Sequence, residues 1–478
     1  MAITTDREKI AHILRRFGFG ASEAELEFYS QRGLKGTIDT LLNPESVAET
    51  HVLDVDRLRS PRDNSLNMLS VQSWWASQFL TTNRPLLHKM TLFWHDHFAT
   101  SADKVDVSSA MLQHIRMLQS HALGKFRDLL TAASQDPAMV YWLDNQFNIK
   151  GKPNENFARE VMELFTLGIG HYSEKDIQEA ARAFTGWTFG VGPRRFQPEK
   201  PRGQASFVFR PENHDTGVKS ILGNRGNFDG IDVLGILCGH PQTATYLTTK
   251  IWEWFAYPNP APGLVERLAA KFRNSGLDIK VLLREVMSSS EFYSETAERA
   301  IVKNPIDFCT STIRQLGVGA ALIESVKEPR EDREEDANQV RRAMAPARLM
   351  ATSAASMGMK LLHPPDVAGW QSGGGWISSA TMIERIQWAD RLFGTSSGRV
   401  PSLRYPAFSL TNGSGSPESL VQAMISVFDV NLPSSKIQSL VKAAQEATGG
   451  NRLSASNSGP AAIAVGRLIF GTPEFQFA

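Results

Sequence analysis

Histidines and carboxylates with spacing suited to chemistry occur in three stretches. Residues 86–98, LLHKMTLFWHDHF, end in His95 and His97; residues 143–167 carry Asp144, Asn145, Asn154, Asn156, Arg159, Glu160 and Glu163; a turn at 213–219 supplies Asn213, His214, Asp215 and Lys219. Imidazole and carboxylate together suit zinc, iron or manganese, so His95, His97, Glu160 and Glu163 form a candidate set of ligands for a divalent transition metal. The same groups could act without metal as general acids and bases, with His214 beside Asp215 as the favoured base. Arg159 or Lys219 could hold an anionic part of a substrate. The expected catalytic set is therefore His95, Arg159, Glu160, Glu163, His214, Asp215 and Lys219.

Each group also has a plainer reading. Glu155, Arg159 and Glu163 stand at i,i+4 spacing and could be ion pairs on a solvated helix face, worth about 0.2–0.5 kcal/mol each. On a continuous helix His95 and His97 diverge by about 200°, so they share one metal only if the helix breaks near Trp94; otherwise one caps the helix end and the other is packed. The His214-Asp215 turn could be an Asx-type turn with its ring in solvent. Cost favours convergence. A helix in the middle of so long a chain is expected to be covered on both sides, and covered carboxylates need cations, donors or a metal. His95 or His97, Glu160, Glu163 and the His214-Asp215 turn are thus expected to meet in three dimensions.

Helices must position most of these residues. After Gly151-Lys152-Pro153, Asn154 is a good N-cap, and residues 155–167 read as a helix stopped by Gly168, with Phe157, Val161, Leu164 and Phe165 opposite the polar stripe. Ser173 with Asp176 resembles a capping box and opens a second helix that runs to Thr185-Gly186-Trp187. Upstream, an opening helix ends at Gly18 or Gly20, Ser22 caps the next, and Pro85 opens the helix that carries the two histidines. Downstream of Trp187, Gly190, Gly192, Pro193, Pro198, Pro201 and Gly203 break the helical texture, and Ser206-Phe207-Val208-Phe209 reads as part of a β-hairpin insertion at about 188–226. Helical periodicity then returns behind Pro241, Pro262, Asp278 and Pro305. The charged run 327–342 reads as a mobile solvated loop or an exposed helix start. HPPDVAGW at 363–370, followed by Gly373-Gly374-Gly375-Trp376, suits a pocket rim or a buried connector. The expected architecture is mainly α: a large multi-helix globular body over 1–393 with the β-hairpin insertion, a Ser/Gly/Pro-rich linker over 394–416, and a helical subdomain over 417–478.

Composition bounds the partners. With 42% hydrophobic and 21% charged residues and a formal charge of +1, the chain reads as a soluble globular protein with no electrostatic reason to bind nucleic acid or anionic membrane. Cys238 and Cys309 lie far apart in no metal-type spacing, so neither a disulfide framework nor a thiolate zinc site is indicated. No run approaches the ~18–20 apolar residues that span a bilayer. The N-terminus fits a helix seam through Ile10, Leu14 and Phe17 better than a signal peptide, which as written places the chain in the cytoplasm.

Seven ordered runs carry a wider likeness: HILRRFGFGAS, LFWHDHFATS, DPAMVYWLDN, PNENFAREVMELFTLGIGHYSEKDIQEAARAFTGW, HDTGVKSILG, HPQTATYLTTKIW and HPPDVAGW. Through them the chain resembles, over nearly its whole length, the bacterial domain-of-unknown-function 1800 family. Val161 stands where Leu is common, and Phe165 where some members carry His, so a ligand role is not expected there. The resemblance implies a large α-helical protein with no established reaction, genes often beside those of a sulfatase-like family, and many exported products. It carries over His95, His97, Asn156, Arg159, Glu160, Glu163, His214, Asp215 and Lys219.

Two functions follow as expectations. The first is an enzyme with a His/carboxylate site, metal-dependent or acid/base, with hydrolysis favoured over oxidation because no haem, flavin or nucleotide fingerprint is visible. The second is a non-catalytic scaffold acting with a sulfatase-like protein partner, in which Arg159 and Glu160 form a buried ion pair that fixes helix packing.

Overall fold

The computed structural model describes residues 3–50, 53–191, 195–196, 200–201, 203–394 and 402–478. Helices account for 63% of the described residues, and the strands among them lie between Trp187 and Gly226, so the expected mainly-α architecture with a small β insertion is what the chain adopts. Among the described residues no helix is long and apolar enough to cross a membrane.

Local signals set many helix starts. Thr5 with Glu8, Ser22 with Glu25, and Ser173 with Asp176 form reciprocal capping boxes, and Pro85, Pro137, Pro241, Pro262 and Pro305 each occupy a first turn, where a missing N–H costs nothing. The helix Pro85–His97 is buried on nearly every side, with only Leu87 and Asp96 partly open, and it runs unbroken through His97. It is the axis of the body. Met68–Thr81, Ser108–His121 and Pro241–Phe255 pack around it, bringing Trp75, His114 and Trp254 against His95 or Phe93.

The insertion is larger than one hairpin. Strands β1 (Trp187–Val191), β2 (Arg195–Phe196) and β3 (Ala205–Phe209) form an antiparallel sheet in the order β2-β1-β3. A separate hairpin pairs β4 (Lys219–Ile221) with β5 (Asn224–Gly226). Its two-residue loop, Leu222-Gly223, has φ of 48° and 78°, the left-handed pair that a primed turn requires.

Two stretches read as loop or linker carry structure of their own, the first of them through its helix-start alternative. The charged run at 327–342 holds the helix Arg333–Ala343, capped by Asp332 and pinned where Arg57 grips Asp336 with two hydrogen bonds of 2.9 and 2.6 Å. In the proposed linker, 395–401 lie outside the described residues; beyond them Leu403 and Tyr405 donate backbone hydrogen bonds to Arg391 and Leu392, and a 3-10 turn forms at Ala407–Thr411. The C-terminal helices lie on the helix Ser379–Phe393, with Gly466 close against Ala389 and buried Arg385 bonded to Gln476 at 3.0 Å.

Candidate functional site

The helix Glu155–Met162 passes into a π-turn, Glu163–Leu167, before Gly168 stops it with φ of 79°. Thr166 Oγ1 donates to the Val161 carbonyl at 2.6 Å, satisfying one carbonyl of the widened turn. The carbonyls of the turn itself reach across to other helices. His97 Nε2 donates to Phe165 O at 3.1 Å, Tyr246 Oη to Leu164 O at 2.9 Å, and Gln242 Nε2 to Leu167 O at 3.1 Å. Three helices far apart in sequence are thereby fixed around one seam.

Along that seam Tyr246, Lys250 and Trp254 recur at i,i+4 on the helix Pro241–Phe255 and face the histidine helix. His97 lies 6.5 Å from Tyr246 and Phe93 5.4 Å from Trp254, ring centre to ring centre, and the Lys250 ammonium sits 5.5 Å over the Tyr246 ring. Asp96 looks into the same place. Its Oδ1 accepts the Trp370 backbone N–H at 2.7 Å, and Gly369, at φ of 93°, packs so closely on Asp96 that a Cβ there would collide with Oδ1. Burial lifts the Asp96 carboxyl to about 6, against the pull of the Trp370 N–H and Lys250. Burial likewise lowers Lys250 below the usual lysine range, while the charge of Asp96 opposes the shift. An acid pushed up and a base pushed down, both partly open to solvent, are a proton donor and acceptor poised toward neutrality.

The carboxylate stripe continues the seam. Glu163 accepts the Tyr172 hydroxyl and, behind burial, helps raise the Tyr246 phenol to about 12. Glu160, half-buried, has its carboxyl raised by burial first and by Glu163 second.

Beneath Trp370 lies a second cluster of polar rings. His95 is fully buried among Trp75, His114 and Trp370, with ring centres 5.2–5.8 Å away, and neither of its nitrogens has a partner among the described residues. Burial holds it neutral, its pKa well below the histidine range. His114 Nδ1 donates to buried Asp136 at 3.0 Å, leaving Nε2 unpartnered among the described residues.

These positions correct several sequence expectations. Because the helix does not break, His95 and His97 point to opposite sides, His95 toward Trp370 and His97 toward Phe165. Among the described residues no group of three or more His, Cys, Asp and Glu side chains is placed to hold a metal ion, so the set His95, His97, Glu160 and Glu163 is not assembled. Arg159 does not pair with Glu160: it makes a two-pronged bond to Glu174 at 2.8 and 2.7 Å on an open face, with Glu155 at 3.6 Å. His214 does not pair with Asp215. His214 Nδ1 donates to Thr185 O at 3.0 Å, whereas Asp215 is bonded by Arg182 at 2.8 and 3.2 Å, which holds its carboxyl down to about 2. Buried Lys219 spends its ammonium on the backbone carbonyls of Asp215 and Gly217. Of the expected residues, His97, Glu160 and Glu163 border the seam; His95 lies under it, and Arg159 and the 214–219 turn are held by partners of their own. Asp96, Tyr246 and Lys250 were missed, although a lone acid on an apolar helix and a Tyr-x-x-x-Lys spacing were both in view.

The fold and the site thus define a many-helix protein with a polar seam assembled from the ends of separate helices. The chain belongs to the family described as protein of unknown function (DUF1800), whose sequence profile matches residues 12–477. Comparison with curated proteins and with solved structures finds no match.

Proposed function

We propose that this protein is an acid/base enzyme working at the Asp96–Lys250 pair, with hydrolysis favoured over oxidation. The observation that carries the reading is the opposed shift of these two groups at a partly open seam where four of the seven sequence runs meet: 92–101, 153–187, 240–252 and 363–370. In a hydrolysis, the Asp96 carboxylate would take the proton of an attacking water while the Lys250 ammonium stabilises the developing oxyanion and then protonates the leaving oxygen. Glu160 and Glu163 would shape the charge preference of the substrate, disfavouring anions at that end of the seam.

The test is residue-resolved amine labelling of the whole protein across pH 6–11, read by peptide mass spectrometry. We expect Lys250 to react with a midpoint below the ordinary lysine value, and Asp96→Asn to lower that midpoint further. A midpoint for Lys250 near ~10.5, unmoved by Asp96→Asn, would sink the proposal. If the labelling holds, chromogenic carboxylic, phosphate and sulfate esters identify the bond cleaved.

A second reading, a scaffold for a sulfatase-like partner, draws on one feature. Phe147, Ile149 and Phe209 are exposed apolar side chains on neighbouring segments, joined by the Lys150 N–H to Asn213 O bond at 2.8 Å. Replacing Phe147 and Phe209 by Ser would abolish co-purification with such a partner under this reading and leave it unchanged under the enzymatic one.

A further inference from the structure

A polar cavity lies away from the seam, where the helices Met68–Thr81, Arg333–Ala343 and Ala345–Ser356 meet beside the 3-10 turn Val55–Leu58. It has a volume of about 100 Å³ and opens to solvent, with Arg341, Arg348, Ser70 and Ser73 in its wall and the buried Leu58 and Met344 among its apolar side chains. No aspartate or glutamate lines it. The two arginines also lack a carboxylate partner among the described residues: Arg341 Nη1 donates to Asn338 Oδ1 at 3.2 Å, and Arg348 Nη2 donates to the Arg341 carbonyl. The acids nearest in the chain are engaged elsewhere. Arg59 holds Asp56 at 2.7 Å, Arg57 holds Asp336 at 2.9 and 2.6 Å, Asp63 Oδ1 accepts from Ser65 Oγ at 2.8 Å, and the first turn of the helix Met68–Thr81 carries no acid.

Two guanidinium groups lining one space repel each other, and an anion between them turns the repulsion into attraction. Each arginine is tethered at one nitrogen by the bond just given, so its remaining N–H groups are held ready as the planar fork that matches the edge of an oxyanion. Ser73 Oγ donates to the Leu69 carbonyl at 2.7 Å, whereas Ser70 Oγ has no bond among the described residues and is a further donor for the cavity. Size selects the ligand. At about 30 Å³ per water the space has room for roughly three, the bulk of one tetrahedral oxyanion.

We propose that this cavity binds a single tetrahedral oxyanion, phosphate or sulfate, free or as the head of a monoester, with Arg341 and Arg348 bonding its oxygens and Ser70 donating a further bond. The open side leaves space for the rest of an ester. Because its wall comes from three helices, the bound anion also ties Arg333–Ala343 and Ala345–Ser356 to the start of Met68–Thr81. The site does not rest on the chemistry at Asp96 and Lys250.

The experiment is isothermal titration of the full chain with inorganic phosphate, inorganic sulfate, phenyl phosphate and phenyl sulfate, at an ionic strength fixed with sodium chloride. Wild type should bind at least one of them saturably; Arg341→Gln and Arg348→Gln should each weaken that binding by about tenfold or more, and Lys250→Met should leave it unchanged. Tighter binding of a phenyl ester assigns the site to a monoester, and equal or weaker binding assigns it to the free ion; either supports it. No saturable binding by wild type overturns the proposal, as does binding that survives both arginine variants or is lost only in Lys250→Met, which would put the anion at the seam. Should the arginine variants not fold, selenate-soaked wild-type crystals decide: an anomalous selenium peak between Arg341 and Arg348 supports the site, and its absence overturns it.

Discussion

Asp96 owes its chemistry to where its helix ends. It is the only carboxylate on the helix Pro85–His97, and its carboxyl is raised to about 6 by burial. A carboxyl whose folded pKa lies above its usual value of 3.8 gives stability that is fully present below that value and is lost as pH rises through about 6. Asp96→Asn keeps an oxygen for the Trp370 N–H but cannot ionise. We therefore expect the variant to gain about 1–3 kcal/mol on wild type between pH 4 and pH 7, the lower figure allowing for partial solvent access. Urea denaturation at several pH values measures this, and parallel curves would show that Asp96 titrates normally. His95 contributes with the opposite sign, since burial lowers its pKa and the stability it gives falls as pH drops below the ordinary histidine value, and it is common to both proteins.

Among the elements, the π-turn at Glu163–Leu167 has the largest consequence. By widening the helix it directs the Leu164, Phe165 and Leu167 carbonyls at Tyr246, His97 and Gln242, on the two helices that carry the Asp96–Lys250 pair. Tyr246→Phe removes one such bond and leaves a covered carbonyl short of a partner, so a loss of about 1 kcal/mol is expected in chemical denaturation. Gly168→Ala should cost more, about 1–3 kcal/mol, because φ is 79° and the new Cβ would stand 3.0 Å from the Tyr246 ring. If Gly168→Ala were as stable as wild type, the seam would not be held by this turn.

For the whole molecule, the question is whether 417–478 form a subdomain of their own. Buried Arg385 bonds Gln476 at 3.0 Å, the Lys303 N–H donates to Gln476 O at 2.8 Å and Arg467 Nε donates to Asp390 at 2.9 Å, so the C-terminal helices share polar bonds with the body as well as apolar surface. Calorimetry should show one cooperative transition; a separate low-enthalpy peak lost on deleting 417–478 would establish an independent unit. The Arg57–Asp336 bond does the same work at the other end. Removing Arg57 strips a nearly buried carboxylate of its two-pronged ion pair, and Arg57→Met is expected to lower stability by about 2–4 kcal/mol, with the helix Arg333–Ala343 becoming the first site of proteolysis.

The sequence by itself determined what depends on neighbours a few residues apart. Ser173 with Asp176, Pro85, Asn154 and Gly168 announced where helices begin and end, and the Gly/Pro texture after Trp187 announced the strands, because caps, fixed φ and left-handed turns are local events. It also marked the helices that border the seam, through His97, Glu160 and Glu163. Which polar groups face one another was decided only by tertiary structure. Arg159 adjoins Glu160 in the chain, yet it turned to Glu174, and Asp215 adjoins His214, yet it turned to Arg182, since an ion pair forms with whichever partner packing brings within reach. Asp96 and Lys250 are ordinary residues in the sequence; their shifted proton affinities arise from desolvation by helices that lie far apart along the chain and meet only in the fold.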